Sequence, residues 1–237
     1  MNCLDPLGET VDGMAEQQSQ TGMSDRSEKA HRITVRRLGR VDYEPTWRAM
    51  QQFTAERQPD TPDQLWLLEH PPVFTLGLNG KPEHLLGPGD IPVVAIDRGG
   101  QVTYHGPGQL VVYMLLDIAR RGLGVQRLVQ LMEQAVIDLL ADQGIAAVAR
   151  RDAPGVYVEE RKIAALGLRV KNGRSYHGLA LNVDMDLTPF TWINPCGYSG
   201  LKTIQLKDFG VAEEADEVAE RLLGHLLGHF PCTLAAA

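Results

Sequence analysis

Apolar residues recur with helical spacing over residues 124–143, where an apolar stripe is followed by Gly144. This stripe comprises Val125, Leu128, Val129, Met132, Val136, Leu139 and Leu140. Such spacing predicts an amphipathic helix with one face on a core, and a glycine suits the left-handed turn that ends it. Two more helices are predicted, at 44–57 around Trp47, Met50 and Phe53, and at about 212–229.

The other apolar segments are short and rich in residues that favour strands. They are 33–35, 65–68, 73–76, 93–96, 110–116, 155–158, 162–170 and 176–183. Asn172-Gly173 between the last two predicts a hairpin, because both residues tolerate positive φ. Hairpins mixed with single helices predict an α/β protein of the α+β type, with a mixed or largely antiparallel sheet and flanking helices.

The composition of the chain also predicts how it is divided into domains. Residues 1–30 are polar and lack an apolar period, so we expect a disordered extension followed by one domain over 31–237. No apolar run is long enough to span a membrane, and no secretory signal is apparent. We therefore expect a cytoplasmic protein that does not engage a membrane.

The net charge of −7 argues against general nucleic-acid binding. Residues 31–206, however, hold 18 acidic and 19 basic residues. Their basic clusters are Arg36, Arg37 and Arg40; Arg120 and Arg121; and Arg150, Arg151 and Arg161. Each cluster could dock an acidic partner, but a solvated surface of mixed charge is the simpler interpretation.

A glycine-dense loop is predicted over 98–109, Arg98-Gly-Gly-Gln-Val-Thr-Tyr-His-Gly-Pro-Gly-Gln109. Glycines let backbone amides approach a ligand closely, which favours a binding role. The loop matches neither the P-loop nor the dinucleotide-binding pattern.

The three cysteines, Cys3, Cys196 and Cys232, lack the paired spacing of a zinc site or a disulfide framework. Cys196 lies in Asn194-Pro-Cys-Gly-Tyr-Ser-Gly200, an aperiodic setting that suits an exposed nucleophile. A thiolate requires a nearby cation or base. Lys162, His105 and His177 are all candidates, and residue spacing alone favours an ordinary exposed lysine at 162.

Four motifs together closely resemble the octanoyltransferases of lipoate biosynthesis, also called lipoyl(octanoyl) transferases or lipoate–protein ligase B. They are the segment 98–109, Arg161-Lys-Ile-Ala-Ala-Leu-Gly167, His177-Gly-Leu-Ala-Leu-Asn-Val183 and Asn194-Pro-Cys-Gly197. The resemblance covers about residues 33–225 and implies the fold of biotin and lipoate protein ligases. We also expect a monomer that needs neither a metal nor a cofactor.

By this resemblance, octanoyl passes from acyl carrier protein through a thioester on Cys196 to a lysine of a lipoyl domain. The acceptors would be E2 subunits of 2-oxoacid dehydrogenases and the glycine-cleavage H protein. Lys162 would lower the pKa of Cys196. Substrate contacts would come from Arg98, Gly99, Gly100, Gln101, Val102, Thr103, Tyr104, His105, Ala165, Leu166, Gly167, Gly178, Leu179 and Ala180.

One departure is Ala165, where members of the family often carry serine, so a hydroxyl contact there is in doubt. Three rival functions are a ligase that activates a free acid with ATP, a non-catalytic module that binds lipoyl domains or carrier protein, and a cysteine hydrolase with a Cys-His pair. The cysteine in its motif opposes the first two, and the lack of an obvious third orienting residue opposes the hydrolase.

Overall fold

The computed structural model describes residues 32–194, 200–211 and 213–230, together with the backbone of 233–234. The predicted disordered extension, Cys3, Cys196 and Cys232 lie outside the described residues. Within the described part, no helix combines the length and the apolar composition that crossing a bilayer requires.

Eleven strands form two sheets in this part of the chain. They are β1 (Arg32–Arg40), β2 (Asp63–Glu69), β3 (Val73–Leu76), β4 (Val93–Ala95), β5 (Val102–His105), β6 (Gln109–Leu115), β7 (Val148–Ala149), β8 (Gly155–Val158), β9 (Arg161–Lys171), β10 (Arg174–Asn182) and β11 (Thr233–Leu234). The larger sheet has the order β11-β1-β2-β6-β10-β9-β8-β7. β1 pairs in parallel with β2 and β11, and the other pairs are antiparallel, which confirms the predicted mixed sheet.

Helices cover both faces of the larger sheet. Helix α1 is Tyr43–Glu56, α2 is Val125–Ala141 and α3 is Ala215–His229. In β2, Leu65 and Leu67 join the core under α2 and α3, whereas Trp66 and Leu68 pack with Met50 of α1. Side chains alternate across a strand, so a strand buried on both faces is apolar throughout.

The hairpin between β9 and β10 is confirmed. Asn172 and Gly173 have φ of 52° and 73°, as a two-residue turn of this type requires. The turn aligns Ala165 with Ala180 and Gly167 with Gly178 across the two strands.

The prediction of an unbroken loop over 98–109 was wrong. Val102–His105 form β5, which pairs with β3, and β3 also pairs with β4 to make a three-stranded sheet. Val102 and Tyr104, which alternate along β5, are buried in one apolar cluster with Phe74 and Phe190. The glycines on both sides obscured this four-residue pattern in the sequence.

One of the three basic clusters is structural, whereas the other two lie at the surface among acidic side chains, as the interpretation of a solvated surface of mixed charge predicts. Arg120 and Arg121 bind the carboxylate of Asp63, which is completely buried, so neither the docking interpretation nor a solvated surface holds for this pair. Arg37 pairs with Glu220 at the surface. The third cluster is likewise tied to acidic side chains: Arg150 pairs with Asp152 and Glu160, and Arg161 with Glu159.

Candidate active site

A cleft opens between the three-stranded sheet and the α1 face of the larger sheet. Its empty volume is about 750 Å³, including the solvent at its open side. Its walls are Tyr43, Arg98, Gly100, Gln101, Val102, Thr103, His105, Val111, Tyr113, Lys162, Ala165, Leu166, Gly167, His177, Gly178, Leu179, Ala180, Asn182, Phe190 and Thr203.

Small residues on the floor leave room for a ligand. Ala165 and Gly167 of β9 lie opposite Ala180 and Gly178 of β10, so these two strands present no large side chain to this part of the cleft. The floor is therefore apolar and carries only small side chains. Such a surface suits an alkyl chain better than a charged group.

Lys162 lies in this cleft although it is only 4% exposed. Its Nζ donates a hydrogen bond to the carbonyl oxygen of Pro154 at 3.2 Å and lies 5.2 Å from the ring centroid of Tyr157. Its backbone is held by the segment after the Cys196 motif, because its amide donates to Lys202 O and its carbonyl accepts from Ile204 N. Lysine is almost never fully buried unless it is paired, and Lys162 is both buried and hydrogen-bonded. Its position in the cleft therefore makes it a candidate functional residue.

His105 is held neutral at one end of the cleft. Burial and the nearby His70 lower the pKa of His105 to about 3. Its Nδ1 is 2.7 Å from Gln109 Oε1, and Gln109 in turn donates to Asn182 at 3.0 Å. A neutral, hydrogen-bonded ring at this position can shape the cleft but offers no positive charge to a thiolate.

His70 is a second buried histidine, and its ring lies 5.9 Å from that of His105, measured between centroids. Burial lowers the pKa of His70 to about 4. Its Nδ1 is 2.7 Å from Val41 O and its Nε2 is 2.7 Å from the hydroxyl of Tyr113. Tyr43 stacks on His105 at 5.7 Å between ring centroids. The two histidines and two tyrosines thus form a packed polar layer beside the apolar floor.

His177 adopts a strained backbone, with φ of 61°, in the middle of β10. Its Nε2 is 3.2 Å from Asp97 Oδ1, and its buried Nδ1 finds no hydrogen-bond partner among the described residues. Burial lowers the pKa of His177, against the opposing effect of Asp97. Non-glycine residues with positive φ are uncommon and concentrate at functional sites, which makes this residue notable.

Asp97 accepts hydrogen bonds from several side chains. Trp47 Nε1 donates to it at 2.8 Å, and Tyr176 and Gln51 also donate. Burial would raise the pKa of Asp97, but hydrogen bonds, first among them that of His177, lower it well below its usual value. The carboxylate therefore stays charged and fixes the ring orientation of His177.

Arg98 anchors the segment that precedes β5. Its Nη2 donates to the carbonyl and the hydroxyl of Thr75, both at 2.9 Å. A β-carbon on Gly167 would lie 3.0 Å from Arg98 Cδ, so glycine at 167 makes room for this side chain. Gly99 N donates to Leu168 O at 2.9 Å and joins the segment to β9.

The structure brings most of the predicted site residues together. Lys162 and twelve of the fourteen predicted contact residues line the cleft, whereas Gly99 and Tyr104 do not. Gly99 bonds to β9, and Tyr104 packs in the apolar layer with Phe74. Cys196 lies outside the described residues. The flanking Phe190 and Thr203 both line the cleft.

Sequence reasoning missed several cleft residues. These are Tyr43, Val111, Tyr113, Asn182, Phe190 and Thr203. The period of two in β6 was a usable signal, since it places Val111 and Tyr113 on one face. The part of the chain that the structure describes contains no group of three or more His, Cys, Asp or Glu side chains arranged to hold a metal ion.

Fold and cleft together define a protein class. The family model described as the lipoyl protein ligase A/B catalytic domain matches residues 42–227. Two solved structures have the same fold. A bipartite lipoate protein ligase from Thermoplasma acidophilum has a TM-score of 0.66 at 16% identity, over 87% of each chain. Biotin protein ligase from Aquifex aeolicus has a TM-score of 0.53 at 13% identity, over 83% of this chain and 69% of the other.

Relatives of higher sequence identity show which family within this class the chain belongs to. An octanoyltransferase from Azoarcus sp. (strain BH72) is 66% identical over 200 residues, 84% of this chain and 88% of the relative. One from Pseudomonas putida (strain W619) is 62% identical over 198 residues, 84% and 92% of the two chains. The chain belongs to the octanoyltransferase family. It is an acyltransferase that performs octanoyl transfer in protein lipoylation.

Proposed function

We propose that the enzyme takes octanoyl from octanoyl-acyl carrier protein and delivers it to a specific lysine of a lipoyl domain through a thioester on Cys196. The acceptors are the E2 subunits of 2-oxoacid dehydrogenases and the glycine-cleavage H protein. The observation that carries this proposal is Lys162, a buried lysine at the wall of an apolar cleft. The Thermoplasma ligase belongs to a lipoylation system that pairs it with its E2 lipoyl domain, and this pairing supports the class of acceptor.

In the first half-reaction, the Cys196 thiolate attacks the carbonyl carbon of the donor thioester. The new bond from carbon to Cys196 sulfur replaces the bond to the carrier's sulfur, and the carrier leaves as a thiol after taking a proton from the Lys162 ammonium, which becomes a free amine. The ammonium of Lys162 stabilises the thiolate before the attack. One thioester replaces another, so this step requires no outside energy source.

In the second half-reaction, the acceptor's ε-amine attacks the Cys196 thioester. An amide forms, Cys196 leaves as a thiolate, and Lys162 as free amine accepts the proton that the attacking nitrogen loses. His105 is the weaker candidate for this base, because a pKa of about 3 makes it a poor proton acceptor near neutral pH.

The substrate contacts proposed are Arg98 to His105, Ala165 to Gly167 and Gly178 to Ala180. Backbone amides near 99–106 would hold the oxyanion that develops on the thioester carbonyl. On the same proposal, 31–237 is one catalytic domain that works as a monomer in the cytoplasm, where reducing conditions keep Cys196 a free thiol.

Intact-protein mass spectrometry after incubation with octanoyl-acyl carrier protein tests the proposal. The wild-type chain should gain about 126 Da, the mass of the C8 acyl group, as covalent catalysis requires. Cys196→Ser should lose this gain, and the matched control Cys232→Ser should keep it. An unmodified wild-type chain would exclude the thioester route.

A parallel reaction separates this activity from that of an ATP-dependent ligase. Lipoyl-domain acceptor is incubated either with octanoyl carrier protein or with free octanoate and ATP. Product from the carrier protein alone supports the transferase. Product from octanoate and ATP alone would make the chain a ligase instead.

A further inference from the structure

Glu133 is a carboxylate in an unusual place. It lies in the middle of α2, on the helix face that packs on the core, and is 8% exposed. Acidic side chains are rarely this buried without a partner, because removing a charge from water is costly. In the sequence it resembles an ordinary surface residue of an amphipathic helix.

The partner of Glu133 is a backbone amide next to the active site. Glu133 Oε1 accepts a hydrogen bond from Gly155 N at 3.1 Å. The carbonyl of the same peptide group, Pro154 O, accepts from Lys162 Nζ at 3.2 Å. One peptide group therefore lies between a carboxylate and an ammonium.

The orientation of this peptide group favours both charges. In a trans peptide the N–H and C=O point in opposite directions, and the described chain contains no cis peptide bond. The positive end of the peptide dipole thus faces Glu133 and the negative end faces Lys162. Hydrogen bonds to charged groups are stronger than neutral ones and polarise one another when they form a chain.

Gly155 makes the close approach possible. A β-carbon built on Gly155 would lie 3.2 Å from Lys162 Nζ and 3.0 Å from its Cε, and the backbone has φ of 149°. Glycine at this position lets the lysine head lie directly against the peptide group.

We propose that Glu133 is a positioning residue that acts through the Pro154–Gly155 peptide to hold Lys162 charged and directed into the cleft. The proposal extends the role of Lys162 given above and rests on it. Burial raises the pKa of Glu133, whereas the Gly155 hydrogen bond and the charge of Lys162 lower it. Among the residues that the structure describes, the other titratable groups that contact Lys162 or share its cleft are Tyr157 of β8, Arg98, His105, His177, Tyr43 and Tyr113.

Two substitutions separate charge from structure. Glu133→Gln keeps an oxygen that can accept from Gly155 N, so the fold should be retained, but it removes the charge. Glu133→Asp keeps the charge on a shorter side chain and should restore part of the effect. Glu159→Gln, at an exposed carboxylate on the turn between β8 and β9, is the matched control.

Two titrations are measured on the full chain. The ionisation of Lys162 is followed by NMR with labelled lysine, and the Cys196 thiolate by the pH dependence of iodoacetamide alkylation. Glu133→Gln should lower the midpoint of the Lys162 titration by about one pH unit, a tenfold change. Alkylation should then require a higher pH, while Glu159→Gln should match the wild type in both.

The outcomes distinguish the two proposals. An unchanged Lys162 titration in Glu133→Gln would reduce Glu133 to a structural contact and overturn the inference. A shifted Lys162 titration with an unchanged alkylation profile would support the link from Glu133 to Lys162 and overturn Lys162 as the thiol's partner.

Discussion

Gly178 of β10 lies so close to Val112 of β6 that a β-carbon built on Gly178 would be 2.0 Å from the Val112 carbonyl oxygen. Both strands form the floor of the cleft, and the neighbouring Val111 and Tyr113 line it. Glycine at 178 therefore sets the distance between the two floor strands as well as leaving space above them.

Gly178→Ala should destabilise the protein and impair acyl transfer, because the methyl group forces β6 and β10 apart. Overpacking of this kind costs about 1–3 kcal/mol. Urea unfolding gives the loss of stability, and initial rates with octanoyl carrier protein give the loss of activity.

Gly224→Ala is the matched control, since Gly224 is exposed in α3 and a β-carbon built there would meet no atom within 4 Å beyond its own stretch of helix. Replacing a glycine inside a helix by alanine should stabilise by about 0.5–1 kcal/mol. Equal effects of the two substitutions would contradict the proposed close contact.

Asp63→Ala should be far more disruptive than loss of a surface ion pair. The Asp63 carboxylate is fully buried and binds Arg120 at 2.9 Å and Arg121 at 2.5 Å, besides Arg57. Removing it leaves buried cations without their counter-charge, which costs about 3–5 kcal/mol.

Glu220→Gln provides the comparison. It breaks the pair of Glu220 with Arg37, in which both side chains are more than half exposed. Exposed pairs contribute about 0–1 kcal/mol. Chemical denaturation of both variants at one pH measures the contrast, and similar losses would show that the buried cluster tolerates an unpaired arginine.

The sequence predicts local structure better than it predicts contacts between distant residues. Helix α2 and the Asn172-Gly173 hairpin follow from periodicity and turn chemistry, which are local properties. The contact of Asp63 with Arg120 joins residues 57 positions apart, and no pattern within either segment predicts it. The short strand β5 was hidden because glycines on both sides suggested continuous loop.

The same contrast between local pattern and distant contact holds for the candidate active site. The segment 98–105 and the strands β9 and β10 were assigned to the cleft by motif, and the structure brings most of these residues together. Burial was not predictable: Lys162 resembled a solvated strand-end lysine, and Glu133 resembled a helix surface residue. Both are enclosed because elements far apart in the chain pack around them.

Ala165→Leu should shorten the acyl chain that the enzyme prefers. Ala165 lies on the cleft floor opposite Ala180, and a leucine there would occupy space for about three carbon atoms. Each buried CH₂ that is lost costs about 0.8 kcal/mol, roughly fourfold in affinity. Relative kcat/KM for butanoyl, hexanoyl and octanoyl donors should therefore shift towards the shorter chains.

The exposed Ala141 at the end of α2 supplies the control for this experiment. Ala141→Leu adds the same atoms outside the cleft and should keep the wild-type order of donors. An unchanged order in Ala165→Leu would indicate that the acyl chain lies elsewhere.

The buried histidines should make folding stability fall as the pH is lowered below about 6.5. The pKa is about 4 for His70 and about 3 for His105 in the folded protein, whereas an unfolded histidine titrates near pH 6.5. Between these values the unfolded chain binds protons that the folded chain does not, so the free energy of unfolding decreases with falling pH. Each histidine contributes a slope of up to about 1.4 kcal/mol per pH unit.

Urea unfolding between pH 6.5 and 4.5 measures this slope. The lowered pKa of Asp97 places its own loss at more acidic pH, whereas His177, whose pKa burial also lowers, adds to the slope in the wild type and in both variants alike. His70→Gln should be less stable at pH 6.5, since it disturbs the bonds to Val41 and Tyr113. Its stability should nevertheless change less steeply with pH than that of the wild type, and His105→Gln should behave in the same way. Curves parallel to the wild type in both variants would mean that neither histidine is held neutral by the fold.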